Sequence, residues 1–301
     1  KKADDKAQSF FDNCFKIIEG PDAPELKIIE MDKKLIFHIS NLSSSNNYLD
    51  GYHEEDPFIV CPAANEECNK YFSFQGYQVF QLKDADVSIS DIRNPDLARE
   101  IFQCDIKDEI TKIVNYEWDE EIEANVAILE VDGADMGIQH TFTLEYDAFA
   151  PYETKLSNNK NYYFLAIAYG FNDYLHYNQN DPFSASGQKR PYIASNKCAL
   201  GNLKIYEASP HIPAPENNGT LINGEYGYGP KITQLSGHGC GNNSLELTQE
   251  TIDEIMSGPP WKSYSPTYEN GQGPIDIKVI DPLNIPDGEY TIEFDSVEIF
   301  E

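Results

Sequence analysis

Residues 156–169 read LSNNKNYYFLAIAY, and the run from Tyr162 onward decides the fold class. Side chains of an extended strand alternate with period two. Tyr162, Phe164, Ala166 and Ala168 therefore share one face, and Tyr163, Leu165, Ile167 and Tyr169 share the other. Both faces are apolar, which predicts a central strand covered on both sides.

Working outward, the same alternation recurs. Leu26, Ile28 and Glu30 begin a strand after the break at 20–24, GPDAP, and Leu35, Phe37 and Ile39 alternate with Ile36, His38 and Ser40 before the polar turn 41–47. Residues 71–82, YFSFQGYQVFQL, form a further strong strand with Tyr77 and Val79 on one face and Phe80 on the other. Residues 3–18 carry Phe10, Phe11, Cys14, Phe15 and Ile18 at helical spacing, a short amphipathic lead-in. Residues 94–101 read as another helix with Pro95 in its first turn, followed by strands around Phe102 and Ile113.

Leu156, the turn Ser157-Asn158-Asn159 and Tyr162 together resemble the lead-in of a fibronectin type III domain. The run Gly76-Tyr77-Gln78-Val79 is similar to the third strand of that family, and residues 204–208 stand where its closing strand would be. The resemblance implies a β-sandwich over 21–208, with Tyr162 as a tyrosine corner whose ring packs inward and whose hydroxyl bonds back to the turn. The extra length falls at about 83–139 and 170–200, as insertions.

Residues 1–20 are then a helical lead-in and 209–216, with several prolines, a linker. A second small β unit follows over 217–301, with a helix at 249–257 capped by Thr248 and strands at 275–280 and 290–294 joined by the turn 286–288. Residues 297–300 still alternate, which reads as an incomplete unit at the C-terminal end. The fold class expected is all-β, with short helices.

DDKAQSFFDNCFK, GPDAPEL, GYQVFQL, VDGADMGIQHTF, NYYFLAIAYGFNDY and GPIDIKVIDPLN together resemble an interior region of large, uncharacterised surface proteins of Bacteroidota exported by type IX secretion. This resemblance implies an extracellular or cell-surface location and no particular activity. The start at Lys1, without Met or an apolar signal region, fits a segment of something longer.

Composition narrows the function classes. With 51 acidic against 22 basic residues and a formal charge of −29, the chain repels nucleic acid phosphates and anionic lipid surfaces. No run approaches the roughly 20 apolar residues that cross a bilayer as a helix, so membrane insertion is not expected. Among six cysteines, Cys61 and Cys68 bracket a short acidic loop that a disulfide can close, whereas zinc sites more often show two close pairs. Cys14, Cys104, Cys198 and Cys240 give no readable connectivity.

Candidate sites follow from loops rich in oxygen or aromatic rings. Asp132 and Asp135, near the acidic run 117–123, could supply calcium with several of its 6–8 oxygen ligands, and Asp173 and Asp181 belong to a second such loop. Acidic runs usually face water, and that reading is preferred for both. Tyr174, Tyr177, Phe183 and Tyr192 could stack on sugar rings or anchor a protein partner, but packing over the central strand is the favoured role. Residues 237–241, GHGCG, invite a reading as a nucleophile or ligand pair, yet the sequence places no base beside them. There is no HExxH, Walker loop, GxSxG or dinucleotide fingerprint. Asn41, Asn218 and Asn242 begin sequons, and Asp295-Ser296-Val297 resembles the O-glycosylation acceptor motif of Bacteroidota.

The function expected is a non-enzymatic structural or interaction segment of a large secreted surface protein. Its partners would be other domains of the parent chain or surface proteins. A calcium-assisted carbohydrate-binding or adhesion module and an accessory domain of a secreted hydrolase are the alternatives; no cofactor is expected in the first reading, and calcium in the second.

Overall fold

The computed structural model describes residues 18–59, 61, 68–181, 183–185, 187–229, 247–263, 266–267 and 277–290. The chain divides into two compact units, Lys1–Pro213 and Ala214–Glu301. The fold is all-β, with one α-helix among the described residues.

The first unit begins with the hairpin of β1 (Glu25–Met31) and β2 (Lys34–Ser40), whose tip residue Lys33 has a φ of 51°. A two-residue hairpin loop favours positive φ because that twist matches the strands it joins. This tip is tied to the distant turn before the central strand: Lys33 N donates to Asn158 Oδ1 at 2.8 Å and Asn158 Nδ2 donates to Asp32 Oδ1 at 2.6 Å. The strands that follow are β3 (His53–Glu55), β4 (Tyr71–Leu82), β5 (Ala98–Asp105), β6 (Lys112–Asp119), β7 (Ala124–Asp132) and β8 (Thr141–Leu144). After them come β9 (Tyr162–Phe171), β10 (Tyr192–Ala194), β11 (Lys197–Cys198), β12 (Gly201–Asn202) and β13 (Tyr206–Ala208).

All pairings between these strands are antiparallel. One sheet has the order β1-β2-β8. In the other, β9 and β4 lie side by side, β10 and β13 pair along the far edge of β9, and β3 and β5 pair along the far edge of β4. β6–β7 and β11–β12 are two-stranded ribbons.

Both faces of β9 are covered, as the double alternation requires. On one side a single apolar cluster joins Leu35, Phe37 and Phe142 of the three-stranded sheet to Tyr77, Val79, Phe164 and Ala166. The Phe37 ring stacks on Phe142 at 4.6 Å and meets the edge of Phe164 at 4.9 Å. On the other side Leu165 and Ile167 pack with Phe80, Leu82, Val87 and Ala98, while Tyr169 packs with Ile113 and Val131 of the β6–β7 ribbon. Each such side chain taken from water contributes roughly 1.5–3 kcal/mol, so an apolar strand gains most by sitting in the middle. At the entry, Leu156 and Tyr162 are buried and the Tyr162 hydroxyl accepts from Ser157 N at 2.9 Å.

Gly76 marks an irregularity in β4, where Gln75 is skipped in the pairing with β9. A Cβ there would lie 2.2 Å from Cys104 O and 2.5 Å from Tyr169 Oη, so only glycine lets the two strands close.

Residues 94–101 correct an expectation. Residues 94–97 form a turn and Ala98 already begins β5, because the open edge of β4 takes the segment into register at Leu82↔Ala98 and Phe80↔Glu100. A helix this short gains little on its own, so strand pairing wins. The lead-in 3–17 lies outside the described residues, and Ile18 packs against the main core.

In the second unit, α1 (Gln249–Met256) is capped by Thr248, whose hydroxyl accepts from Thr251 N at 3.4 Å. Val279 exchanges backbone bonds with Gly227 and Tyr228 at 2.8 and 3.0 Å, but residues 277–280 form no strand. Residues 275–276 and 291–301 lie outside the described residues, and with them most of the two expected strands.

Candidate functional site

The outward face of β4 places Gln78 and Phe80 on the floor of a pocket of about 540 Å³. β5 adds Glu100 to the floor. The 89–93 segment, with Ile89, Ile92 and Arg93, forms one wall, and Ile128, Leu129 and Glu130 of β7 form the other. Tyr192 and Ala194 of β10 close the end. The pocket thus lies between a central strand and segments from both long insertions.

Its polar groups are locked to one another. Gln78 Nε2 donates to Glu100 Oε2 at 2.7 Å and to the Glu130 carbonyl at 3.1 Å, while Gln78 Oε1 accepts from the Tyr192 hydroxyl at 2.9 Å. Glu130, its side chain only 6% exposed, is paired with the Arg93 guanidinium and accepts from Asn115 Nδ2 at 2.9 Å. Asn115 Oδ1 in turn accepts from Tyr192 N at 3.1 Å. Arg93 also approaches Glu117 at 3.8 Å.

Burial raises the Glu100 carboxyl above the usual carboxylate range, and the Gln78 amide offsets only part of this. Glu130 is likewise raised by burial, with Arg93 and Asn115 pulling the other way. The lining holds two carboxylates, Glu100 and Glu130, against one guanidinium, Arg93, a net charge of −1 with both acids ionised.

The four predicted binding aromatics do not form an exposed platform. Tyr192 packs on Tyr169 with ring centroids 5.4 Å apart, and burial raises its phenol well above the ordinary value. Tyr177 is buried, meets Tyr116 edge-on at 4.8 Å and accepts from Asn125 Nδ2 at 2.7 Å. Tyr174 is half-buried against the main core. Only Phe183, 91% exposed, projects into solvent. The physical reason is that the outer face of β9 and the β6–β7 ribbon both need apolar cover.

The predicted calcium ligands also go separate ways. Asp132 pairs with Lys112 at 3.5 Å at one end of the β6–β7 ribbon, whereas 117–123 surround its other end, where Asp119 faces Ala124. Asp135 Oδ1 accepts from the amides of Asp108 and Glu109 at 2.7 and 3.1 Å. Asp173 lies 3.1 Å from His176. Asp181 accepts from the Ser184 hydroxyl at 2.7 Å and from Phe183 N at 3.1 Å, bonds that hold its carboxyl below the usual range. Among the described residues, no three His, Cys, Asp or Glu side chains converge as a metal site would require.

Cys61 and Cys68 form a disulfide. Cys104 and Cys198 are buried free thiols, and burial pushes the Cys104 thiol up to about 11. Cys14, Cys240, residues 237–241, the Asn242 sequon and residues 295–297 lie outside the described residues.

Two buried polar clusters escaped the sequence reading. Tyr77, fully buried, donates its hydroxyl to Asp50 and accepts from Asn41 and Asn47, while Asp50 Oδ2 lies 2.9 Å from His140 Nε2. Asn41 also donates to Asp50 at 3.1 Å, so the amide nitrogen of that sequon is already committed. Asp105 is 1% exposed, accepts from Asp135 N at 3.0 Å, and has an Oδ2 with no hydrogen-bond partner. No local pattern marks either cluster, because each gathers residues far apart in the chain. In comparisons with protein-family models, curated proteins and solved structures, nothing matches the chain.

Proposed function

We propose that the chain is a non-enzymatic interaction segment of a large secreted cell-surface protein, built on a fibronectin type III-like sandwich. Two antiparallel sheets about one core, with a tyrosine hydroxyl bonded to the backbone just upstream, support the sandwich. The Cys61–Cys68 disulfide is compatible with an oxidising compartment. No described helix is long and apolar enough to cross a membrane.

The observation that carries the interaction reading is the tip of the β6–β7 ribbon. Trp118 and Ile122 are 60% and 62% exposed there, on a highly acidic chain. Exposed tryptophan and large aliphatic side chains grouped on a surface mark contact sites. A photo-crosslinking residue at position 118 or 122, in the parent protein on its native cells, should join one defined surface protein or another domain of the parent. Labelling no more selective than at the exposed control position Asp96 would overturn the reading.

A further inference from the structure

We propose that the pocket between the β4–β5 floor and the edge of β7 binds an alkylammonium group, its cationic head on Glu100 and its aliphatic stem against Phe80, Ile92 and Leu129. The inference rests on the interaction reading only for its biological setting, because it names the chemistry that a partner would bring.

The argument starts from what the pocket has left to offer. Gln78 spends its amide on Glu100, the Glu130 carbonyl and Tyr192, and Glu130 is occupied by Arg93 and Asn115. Glu100 is different. It is open to the pocket, its one hydrogen bond comes from a neutral amide, and no cation among the described residues pairs with it. A carboxylate beside an apolar wall, with one neutral donor and no ion-pair partner, favours a cation that gives it a charge-assisted hydrogen bond.

The walls decide what carries that cation. Isoleucine and leucine side chains with a single phenylalanine suit a methylene chain better than a sugar ring, which needs several hydrogen-bonding groups around it. An anion is disfavoured by two carboxylates against one guanidinium. The volume of about 540 Å³ lies within the range of roughly 300–1,000 Å³ usual for small-ligand sites. Burial raises the Glu100 carboxyl, and a bound ammonium would reverse that shift.

The test titrates the full 301-residue chain with n-hexylammonium, followed by amide chemical shifts, alongside neutral hexan-1-ol of the same length. Hexylammonium should bind at least about tenfold more tightly than the alcohol and perturb Gln78, Glu100 and Leu129. Glu100→Gln should abolish that preference while leaving alcohol binding unchanged. Glu121→Gln, at the exposed ribbon turn, controls for general attraction to an acidic protein and should change nothing. Leu129→Ala, at a half-exposed position that need not disturb folding, should weaken hexylammonium more than methylammonium. A peptide acetyl-Gly-Lys-Gly-amide separates the sources. If it binds with the same dependence on Glu100, the natural ligand is a lysine side chain of a protein partner; if only the free amine binds, it is a small amine. Equal binding of amine and alcohol, an equal loss in the Glu100 and Glu121 variants, or shifts outside the pocket would overturn the proposal, whichever way the crosslinking at the ribbon tip turns out.

Discussion

His140 Nε2 lies 2.9 Å from Asp50 Oδ2, and the same carboxylate accepts the hydroxyl of Tyr77, so a ring facing solvent is wired to a phenol in the core. Asp50 and the preceding Leu49 hold φ values of 59° and 54°, backbone that non-glycine residues adopt only when held there by other contacts. The bond to Asp50 raises the His140 ring above its ordinary pKa, with burial opposing. For Asp50, burial opposes ionisation, but the bonds from His140, Tyr77 and Asn41 outweigh it and hold the carboxyl below its ordinary range.

The signs set a pH window. The His140 contribution is complete below about pH 6.5 and is lost as pH rises through its elevated folded value; that of Asp50 is present above about pH 4 and is lost as pH falls through its depressed one. His38, whose ring is lowered by burial and then by His140 and Lys27, acts in the opposite sense, being destabilising at low pH. His140→Asn should therefore flatten or reverse the fall in stability between pH 6 and pH 8. The change should be under about 1 kcal/mol, since the His140 side chain is 46% exposed. Urea midpoints for both proteins at pH 5.5 and 8.5 decide it; parallel profiles would show that the pair does not titrate on folding.

Tyr162→Phe removes the acceptor for Ser157 N while keeping the ring in the core. A loss of about 0.5–1.5 kcal/mol is expected. An unchanged denaturant midpoint would mean that the turn bonds water equally well.

Asp147 accepts from Gln81 Nε2 and Lys160 Nζ, both at 2.8 Å, and from Phe149 N at 3.0 Å. Burial opposes its ionisation, but these bonds hold the carboxyl below its ordinary range. Asp147→Ala strands the buried Gln81 amide and should cost about 1–3 kcal/mol at pH 7. In the wild type the part of this contribution that depends on the ionised carboxylate fades as pH falls below about 4, so the difference between the two proteins should narrow in acid. Persistence of the full difference at pH 2 would show that packing, rather than charge, was lost.

A thiol near 11 is about one-thousandth ionised at pH 8, and Cys104 is buried as well. Cys104 should resist iodoacetamide in native buffer at pH 8 and react fully in urea, with mass spectrometry locating the label. Rapid native labelling would mean that the β4–β5 edge opens readily.

Cys61→Ser opens a loop closed over a sequence separation of 7. Chain entropy predicts a loss of about 2.5 kcal/mol for so short a loop. The check is a comparison of thermal midpoints, and reducing agent should lower the wild type to the level of the variant.

The double alternation of 162–169, the strands that became β1 and β2, and the full length of β4 were legible because strand faces are written at period two, within a few residues. The link from Ser157 to Tyr162 was expected from the resemblance of 156–162 to a fibronectin type III lead-in, and it is local. A strand around Phe102 was expected, but the start of β5 at 98–101 was not: those residues suit a short helix, and only the open edge of β4 drew them into the strand. Nor was the pocket. Gln78, Glu100, Glu130 and Tyr192 are separated by tens of residues and carry no motif, and they meet because antiparallel pairing brings β5 alongside β4 and β10 alongside β9, while β7 reaches the same face.

The sequence by itself determined that the chain is built on strands, which of them is central, and that it carries a net charge of −29, since alternation, turn chemistry and net charge are local or summed properties. Tertiary structure alone decided which acids stand alone and which are paired, which tyrosines are cover, and where a carboxylate faces an apolar pocket. Those outcomes depend on burial and on partners far along the chain, and a side chain acquires both only when the strands have packed.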